Sequence, residues 1–187
     1  MSIEELYEIL LSHKPSIEIK KNEDRMFSLI PELKPCKGFN QNSKWHIYDV
    51  YEHILHVIDN VPNILELRLA ALFHDIGKPL TYTTDENNHG HFYNHWNKSK
   101  EIFINFANKY NLNKELTFLV GNLIYYHDLN LEKNSNEITS IIDKIGKDNI
   151  SLLFNLKRAD LLAQSKEYHY LLQEYDRQEE KIKKLLK

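Results

Sequence analysis

The side chains most suited to chemistry are an adjacent histidine and aspartate, His74 and Asp75, which end a strongly apolar stretch. A carboxylate buried among apolar residues is costly unless a cation or hydrogen-bond donors compensate its charge. Asp75 therefore needs a partner, and a metal ion is one candidate. The alternative is that His74 and Asp75 bond to each other or to the backbone, as isolated His-Asp pairs often do.

Other potential ligands lie in neighbouring segments of the sequence. His53 is spaced three residues from Val50 and four from Val57, which indicates a core-facing position on a helix. Asp160 is another carboxylate on a largely apolar segment. Imidazoles and carboxylates together suit Mn, Fe, Co, Ni or Zn. We therefore expect one or two divalent transition metals, of unspecified identity, held by His53, His74, Asp75, His95, His127 and Asp160.

The elements that must position these residues are predicted to be helices. The sequence has five glycines and five prolines among 187 residues, too few for a turn-dense sandwich or barrel. Pro31 to Ser43 is predicted to be an ordered connection, and 81–95 a histidine-rich loop. Apolar periodicity predicts helices over 2–12, 45–60, 65–76, 96–110, 113–128, 136–145, 148–164 and 166–186. The expected fold class is all-α, a single-domain helical bundle.

Composition excludes several classes of protein. The 24 basic and 27 acidic residues give a net charge of −3, without the basic excess of a dedicated nucleic-acid binder. The single cysteine of the chain, Cys36, cannot form an internal disulfide or a zinc cluster. Cys36 also has no nearby base in sequence to make it a nucleophile. No apolar stretch is long enough to span a bilayer. We expect a cytoplasmic protein without a membrane partner.

Four sequence segments resemble a known family. His53, the His74-Asp75 doublet and Asp160 match the H...HD...D pattern of the HD-domain metal-dependent phosphohydrolases. Over roughly residues 28 to 165, the chain resembles the HD module of bacterial CCA-adding tRNA nucleotidyltransferases. The segments that carry this resemblance are PEL (31–33), DVYEHIL (49–55), LRLAALFHDIGKP (67–79) and HFYNH (91–95).

The resemblance implies an HD-type bundle with three parts. These are an N-terminal helix and connection packed on the core (1–44), the metal-binding HD core (45–165) and a C-terminal helix (166–187). The residues before Trp45 contain one glycine and no Gly-Ser nucleotidyltransferase element. We therefore expect a free-standing HD domain without polymerase activity.

The resemblance also implies roles for individual residues. His53, His74, Asp75 and Asp160 would hold a first metal. The further match to the H...HD...H...H...D pattern of two-metal HD enzymes implies a second metal at His95 and His127, bridged by Asp75. Catalysis would then use metal-activated water, with Asp75 and Lys78 as catalytic residues. The expected substrate-binding residues are Lys78, His46 and Arg158.

Several of these roles have alternatives that the sequence leaves open. Lys78 can instead interact with a helix dipole at the surface. His46 can contact the second metal, a phosphate or neither, and Arg158 can pair with a carboxylate. The roles of three further residues are also open: His89 and His91 can shape the pocket or be solvated, and Asp128 can orient His127 or bind solvent.

The expected function is hydrolysis of a small phosphorylated substrate such as a nucleoside monophosphate or a 2',3'-cyclic nucleotide. One alternative is a symmetrical dinucleoside polyphosphate hydrolase, an activity found among two-metal HD enzymes. Another is a non-catalytic module that binds a nucleotide or tRNA, although nucleic acid is not the favoured partner. The C-terminal helix can dock on its own domain or support assembly, so the oligomeric state is open.

Overall fold

The structure, a computed structural model, describes residues 1–129 and 135–185, with the side chains of 135–137, 140 and 185 left out. The all-α prediction is confirmed. Three short 3-10 helices cover Pro31–Cys36, Lys147–Asn149 and Lys166–Leu171. The α-helices are α1 (Ile3–Leu10), α2 (Pro15–Lys21), α3 (Glu23–Leu29), α4 (Val50–Asn60), α5 (Leu65–Phe73), α6 (Lys78–Thr81), α7 (His95–Lys109), α8 (Lys114–Tyr126), α9 (Ser135–Ile145), α10 (Ile150–Leu162) and α11 (Leu172–Leu185).

Helix α5 lies at the centre of the bundle. Every residue from Leu67 to Phe73 is buried, because apolar side chains surround this helix on nearly every side. It packs against α4, α7, α8 and α10, and α1 covers another part of its surface. Helices α4 and α10 also pack on each other, as do α7 and α8. This arrangement brings residues of α4, α7 and α10 and the end of α8 close to the residues that follow α5.

Helix α4 begins at Val50, five residues later than the periodicity predicted. The Asp49 side chain accepts a hydrogen bond from the Glu52 amide at 2.7 Å and so caps the helix. The same carboxylate accepts from the Gly38 amide at 2.9 Å, which ties the preceding connection to the start of α4. His46 therefore lies on this connection rather than on the helix, although its ring stays 5.1 Å from that of His53.

The turn after α5 is held by the first turns of α7. The Gly77 amide donates to Ser99 Oγ at 2.9 Å. A Cβ atom at Gly77 would lie 2.7 Å from the Ser99 nitrogen and 2.9 Å from the His95 oxygen, so glycine is needed for this close approach. The turn that contains His74 and Asp75 is thereby fixed beside His95.

The segment between α6 and α7 contains a small antiparallel hairpin, which sequence periodicity did not predict. Its strands are β1 (Thr83–Thr84) and β2 (Gly90–His91). The Gly90 amide donates to the Asn42 carbonyl at 3.0 Å, and a Cβ at Gly90 would lie 2.1 Å from the backbone carbonyl oxygen of Gln41. The hairpin is thus pressed against the connection that leads into α4.

The C-terminal segment differs from the single helix predicted over 166–186. A 3-10 helix precedes α11, which packs against α10. Glu179 on α11 is buried and accepts hydrogen bonds from Ser151 and Arg158, while Lys183 pairs with it at 2.6 Å. In the part of the chain that the structure describes, no helix combines the length and apolar character needed to cross a bilayer.

Candidate metal centre

Two groups of potential metal ligands share Asp75. The first contains His53, His74 and Asp75, and the second contains Asp75, His95 and His127. In each group the ligand atoms lie within 4.8 Å of one another, and every member is buried. Such groups can hold a metal ion.

The carboxylate of Asp75 presents a different oxygen to each group. Oδ2 lies 3.3 Å from His74 Nε2 and 3.4 Å from His53 Nε2. Oδ1 lies 3.2 Å from His95 Nε2 and 3.7 Å from His127 Nε2. One short side chain in the turn after α5 therefore reaches imidazoles from α4, α7 and the end of α8. Asp75 thus offers one carboxylate oxygen to each group.

Backbone hydrogen bonds fix the tautomers of three of these histidines. The Nδ1 atoms of His74, His95 and His127 lie 2.8, 2.8 and 2.7 Å from the carbonyls of Ala71, Phe92 and Ile124, each three residues earlier. A carbonyl accepts only, so each Nδ1 must carry the proton in the neutral ring. In the neutral ring, each Nε2 then carries the lone pair and faces Asp75, as expected when a backbone acceptor orients a metal-binding imidazole.

The second group contains hydrogen-bond acceptors that have no donors among themselves when its two imidazoles are neutral. His95 Nε2 and His127 Nε2 are 3.4 Å apart, and both face the Asp75 carboxylate. In the neutral tautomers fixed above, all three groups are acceptors, and acceptors in contact repel one another unless a cation lies between them. With both rings neutral, the second group therefore suits a divalent cation, which would lie among these three acceptors.

Asp160 joins the first group from α10. Its Oδ1 lies 2.9 Å from His53 Nε2 and 4.0 Å from His74 Nε2. His53 Nδ1 is buried and has no hydrogen-bond partner among the described residues. The packing of α4 on α10 thus supplies a second carboxylate, which completes a set of two imidazoles and two carboxylates.

The electrostatics of the site maintain ionised carboxylates. Burial opposes ionisation of Asp75, but His74 and Lys78 outweigh it and hold the pKa of Asp75 well below its usual range. Burial likewise opposes ionisation of Asp160, while the hydrogen bond from His53 and its charge lower the Asp160 pKa. Burial, together with His74 and His95, lowers the pKa of His127 to about 3. Burial opposes protonation of His74, but Asp75 outweighs it and raises the His74 pKa. Ionised carboxylates and a neutral imidazole such as that of His127 are the protonation states that bind metals.

Lys78 is buried against the first group rather than exposed at the surface, contrary to the dipole alternative. Its Nζ lies 2.6 Å from Asp75 Oδ2, donates to Gln41 Oε1 at 2.8 Å and is 3.5 Å from His46 Nε2. The ammonium also lies over the Phe92 ring, 5.2 Å from its centroid. Lys78 is therefore a positive charge placed beside the shared carboxylate.

A cavity of about 240 Å³ opens onto Asp75, Asp160 and the two histidines of the second group. Its lining combines carboxylate, imidazole and ammonium groups with aromatic side chains. His91 and Tyr93 stack with their rings nearly parallel, 5.3 Å apart. The lining residues are His46, Asp75, Lys78, Gly90, His91, Phe92, Tyr93, His95, Trp96, His127, Asp128, Asp160 and Gln164.

The structure separates Arg158 from this site and corrects its expected role in substrate binding. Its guanidinium pairs with Glu179 at 2.6 Å and Asp176 at 2.8 Å, both on α11, and Arg158 does not line the cavity. The physical reason is helical spacing: two positions before Asp160, Arg158 lies on a different face of α10. Of the two alternatives left open by the sequence, the carboxylate pair is the one observed.

The other residues with open roles lie near the cavity but differ in their contacts. His91 lines it and also lies 3.4 Å from Asp85 Oδ2, whereas the exposed His89 lines a separate depression. Asp128 lines the cavity next to His127. His46 lines it as well, and burial together with the Lys78 charge lowers the His46 pKa to about 2, which favours the neutral ring.

Sequence reasoning missed three polar residues that support the site. Gln41 is buried and donates to the Tyr48 carbonyl at 3.3 Å, so that its oxygen faces Lys78. Ser99 binds the turn at Gly77, as described above. Lys157 is buried and donates to backbone carbonyls at the end of α8. The available signal for Ser99 and Lys157 was a polar residue among the apolar positions of a helix, which indicates a buried polar contact.

Comparison with known proteins decides the family. Residues 45–165 match the HD domain. The chain belongs to the HD domain family. It is also 37% identical over 89 residues to the CC-adding tRNA nucleotidyltransferase of Thermus thermophilus, a stretch that covers 44% of this chain and 20% of that protein. This HD domain protein therefore spans about a fifth of that relative, and the resemblance seen in the sequence is confirmed for the shared region. The family places it in the metal-dependent phosphohydrolase superfamily.

Proposed function

We propose that this HD domain protein is a metal-dependent phosphohydrolase, a phosphatase or phosphodiesterase, that acts on small nucleotides. Nucleoside monophosphates and 2',3'-cyclic nucleotides are the proposed substrates. One observation carries the proposal: the two oxygens of Asp75 face two separate sets of imidazole Nε2 atoms. That arrangement gives a hydrolase two adjacent cation positions beneath an open cavity.

The residues divide into two ligand sets. His53, His74 and Asp160 would hold one cation, His95 and His127 would hold the other, and Asp75 would contact both. Mn, Fe, Co, Ni and Zn all suit these ligands. When bound, such cations would lower the pKa of a water molecule, so that hydroxide able to attack phosphorus forms near neutral pH.

The remaining cavity residues act on the substrate. Lys78 contacts Asp75 and lines the cavity, so its charge neutralises a phosphoryl oxygen placed beside that carboxylate. His46, held neutral, can accept or donate a single hydrogen bond to the same phosphoryl group. The rings of Tyr93 and Trp96 provide a surface against which a nucleobase can pack.

The size of the cavity favours a mononucleotide. Its volume of about 240 Å³ is below the range of about 300–1,000 Å³ that is usual for pockets enclosing drug-sized ligands. A phosphoryl group with its sugar fits in such a space, and the base can rest on the aromatic wall. A dinucleoside polyphosphate would extend well beyond it.

The proposal is tested by hydrolysis assays on protein purified without added metal. We expect turnover of an aryl phosphate or of 2',3'-cyclic AMP when Mn or Ni is supplied, and loss of turnover after chelation. Asp75→Asn preserves the shape of the side chain but removes its charge, and should abolish turnover. His13→Ala removes an exposed histidine outside the site and is the matched control.

Each outcome separates the candidate functions. Undiminished turnover in purified Asp75→Asn would refute the metal-dependent mechanism. Faster cleavage of a dinucleoside polyphosphate than of any mononucleotide would favour the alternative hydrolase. Binding of a nucleotide or tRNA without turnover under any metal would indicate the non-catalytic module.

A further inference from the structure

Lys157 on α10 is a buried lysine whose hydrogen bonds go to the backbone that carries His127. Its Nζ donates to the His127 carbonyl at 2.6 Å and to the Leu129 carbonyl at 2.9 Å. The side chain is 4% exposed, and its ammonium lies 5.3 Å from the centroid of the Tyr175 ring on α11. An ammonium group loses much hydration in such a place, so these contacts must compensate for it.

The bonded carbonyls directly follow the end of α8. Helix α8 ends at Tyr126, and the last carbonyls of a helix have no partner within the helix. Lys157 bonds two carbonyls that follow this end, where a cation also interacts favourably with the helix dipole. Lys157 therefore fixes the path of the backbone from His127 to Leu129, just beyond the last turn.

The orientation of the His127 ring depends on that backbone. Its Nδ1 donates to the Ile124 carbonyl at 2.7 Å, which leaves Nε2 3.7 Å from Asp75 Oδ1. A shift in the backbone at His127 would move Nε2 away from both Asp75 and His95. Because ligand geometry is set by such supporting contacts, loss of one typically weakens metal binding.

We propose that Lys157 is a positioning residue for the second ligand group, which aligns His127 without contacting the metal or the substrate. Helix α10 then serves both groups, since Asp160 faces His53 and Lys157 lies three residues earlier on the same helix. The inference rests on the metal site of the proposed function and adds a residue to its support.

The experiment is a titration of metal-free protein with Co²⁺, followed by the visible absorption of the bound ion. His127→Ala identifies the binding step that depends on the second group. Lys157→Met keeps the length of the stem and removes the ammonium, and should weaken that same step by about 10- to 100-fold while the other step is unchanged. Lys157→Arg keeps a cation and should restore much of the affinity.

Lys100→Met is the matched control. Lys100 also touches α8, donating to Asn122 Oδ1 at 3.1 Å and lying 5.1 Å from the Tyr125 ring centroid, but it does not line the cavity. Its loss should leave both Co²⁺ steps unchanged. If Lys157→Met does not fold, Lys157→Gln compared with Lys157→Arg provides the same contrast.

Each result has a defined meaning. Wild-type affinity at both steps in Lys157→Met overturns the proposal, as does equal weakening of both steps or a similar effect in Lys100→Met. A wild-type protein with two steps, neither of them affected by His127→Ala, also overturns it. Failure of the wild type to bind Co²⁺ at all refutes the proposed function itself, and the inference about Lys157 falls with it.

Discussion

Replacing Gly77 with alanine should disturb both the fold and the metal centre. Gly77 has φ −80° and ψ −12°, values that any residue adopts, so the substitution introduces no backbone strain of its own. The added Cβ would instead lie 2.7 Å from the Ser99 nitrogen and 2.9 Å from the His95 oxygen. Both are backbone atoms of α7, which cannot rotate away as a flexible side chain can.

The magnitude follows from this overpacking. Forcing one carbon into a filled site costs about 1–3 kcal/mol, and weakening the hydrogen bond from Gly77 to Ser99 would add about 1 kcal/mol. We therefore expect Gly77→Ala to lower the free energy of unfolding by about 2–4 kcal/mol. Because His95 begins the same helix, its Nε2 should move relative to Asp75, and metal affinity should fall as well.

Urea unfolding and Co²⁺ titration measure the two effects. Gly121→Ala is the control: it lies within α8, and the nearest atom to its added Cβ is the flexible Ile104 Cδ1 at 3.3 Å. Alanine is favoured over glycine within a helix by up to about 1 kcal/mol, so this variant should be neutral or more stable. If Gly77→Ala proved as stable as Gly121→Ala, with unaltered Co²⁺ affinity, the packing argument would be refuted.

Three further predictions concern residues outside the ligand groups. Arg158→Met should lower the free energy of unfolding by about 1 kcal/mol through loss of its pairs with α11, and leave kcat and KM unchanged; a large rise in KM would restore the substrate-binding role. Burial raises the pKa of the Cys36 thiol, so iodoacetamide should label Cys36 in urea but not in the folded protein at mildly alkaline pH, as mass spectrometry would show. Burial opposes ionisation of Asp59, but Lys14 and Ser16 outweigh it and lower the Asp59 pKa. Its stabilising contribution is therefore present above the unfolded pKa of about 3.9 and lost as pH falls through the folded value, so Asp59→Asn should flatten the acid side of the stability profile in urea unfolding.

The sequence singled out these potential ligands because metal chemistry restricts residue types. His53, His74, Asp75, His95 and His127 stand out as polar groups on apolar segments or in a histidine-rich loop, and the structure brings them together with Asp160. Their assignment to two ions remains a proposal. The central helix was equally predictable, since its apolar residues leave no polar face.

Long-range contacts explain what the sequence did not reveal. Lys78 could be placed near Asp75 by spacing, but its burial depends on Gln41, which is distant in sequence. Arg158 was predicted to bind substrate, but its guanidinium pairs with Glu179 on α11. The start of α4 was predicted too early because apolar periodicity continues back to Ile47, whereas the Asp49 cap makes the helix begin at Val50. For Lys78 and Arg158, a partner from another element decided the outcome; for α4, a local cap did.

Crystals soaked with a transition metal and measured on both sides of its absorption edge would test the central claim most directly. The account predicts anomalous density on both sides of the Asp75 carboxylate, with one peak among His53, His74 and Asp160 and the other between His95 and His127. Asp75→Asn should weaken or abolish both peaks. Density elsewhere in the protein, or none at this carboxylate under saturating metal, would contradict the account.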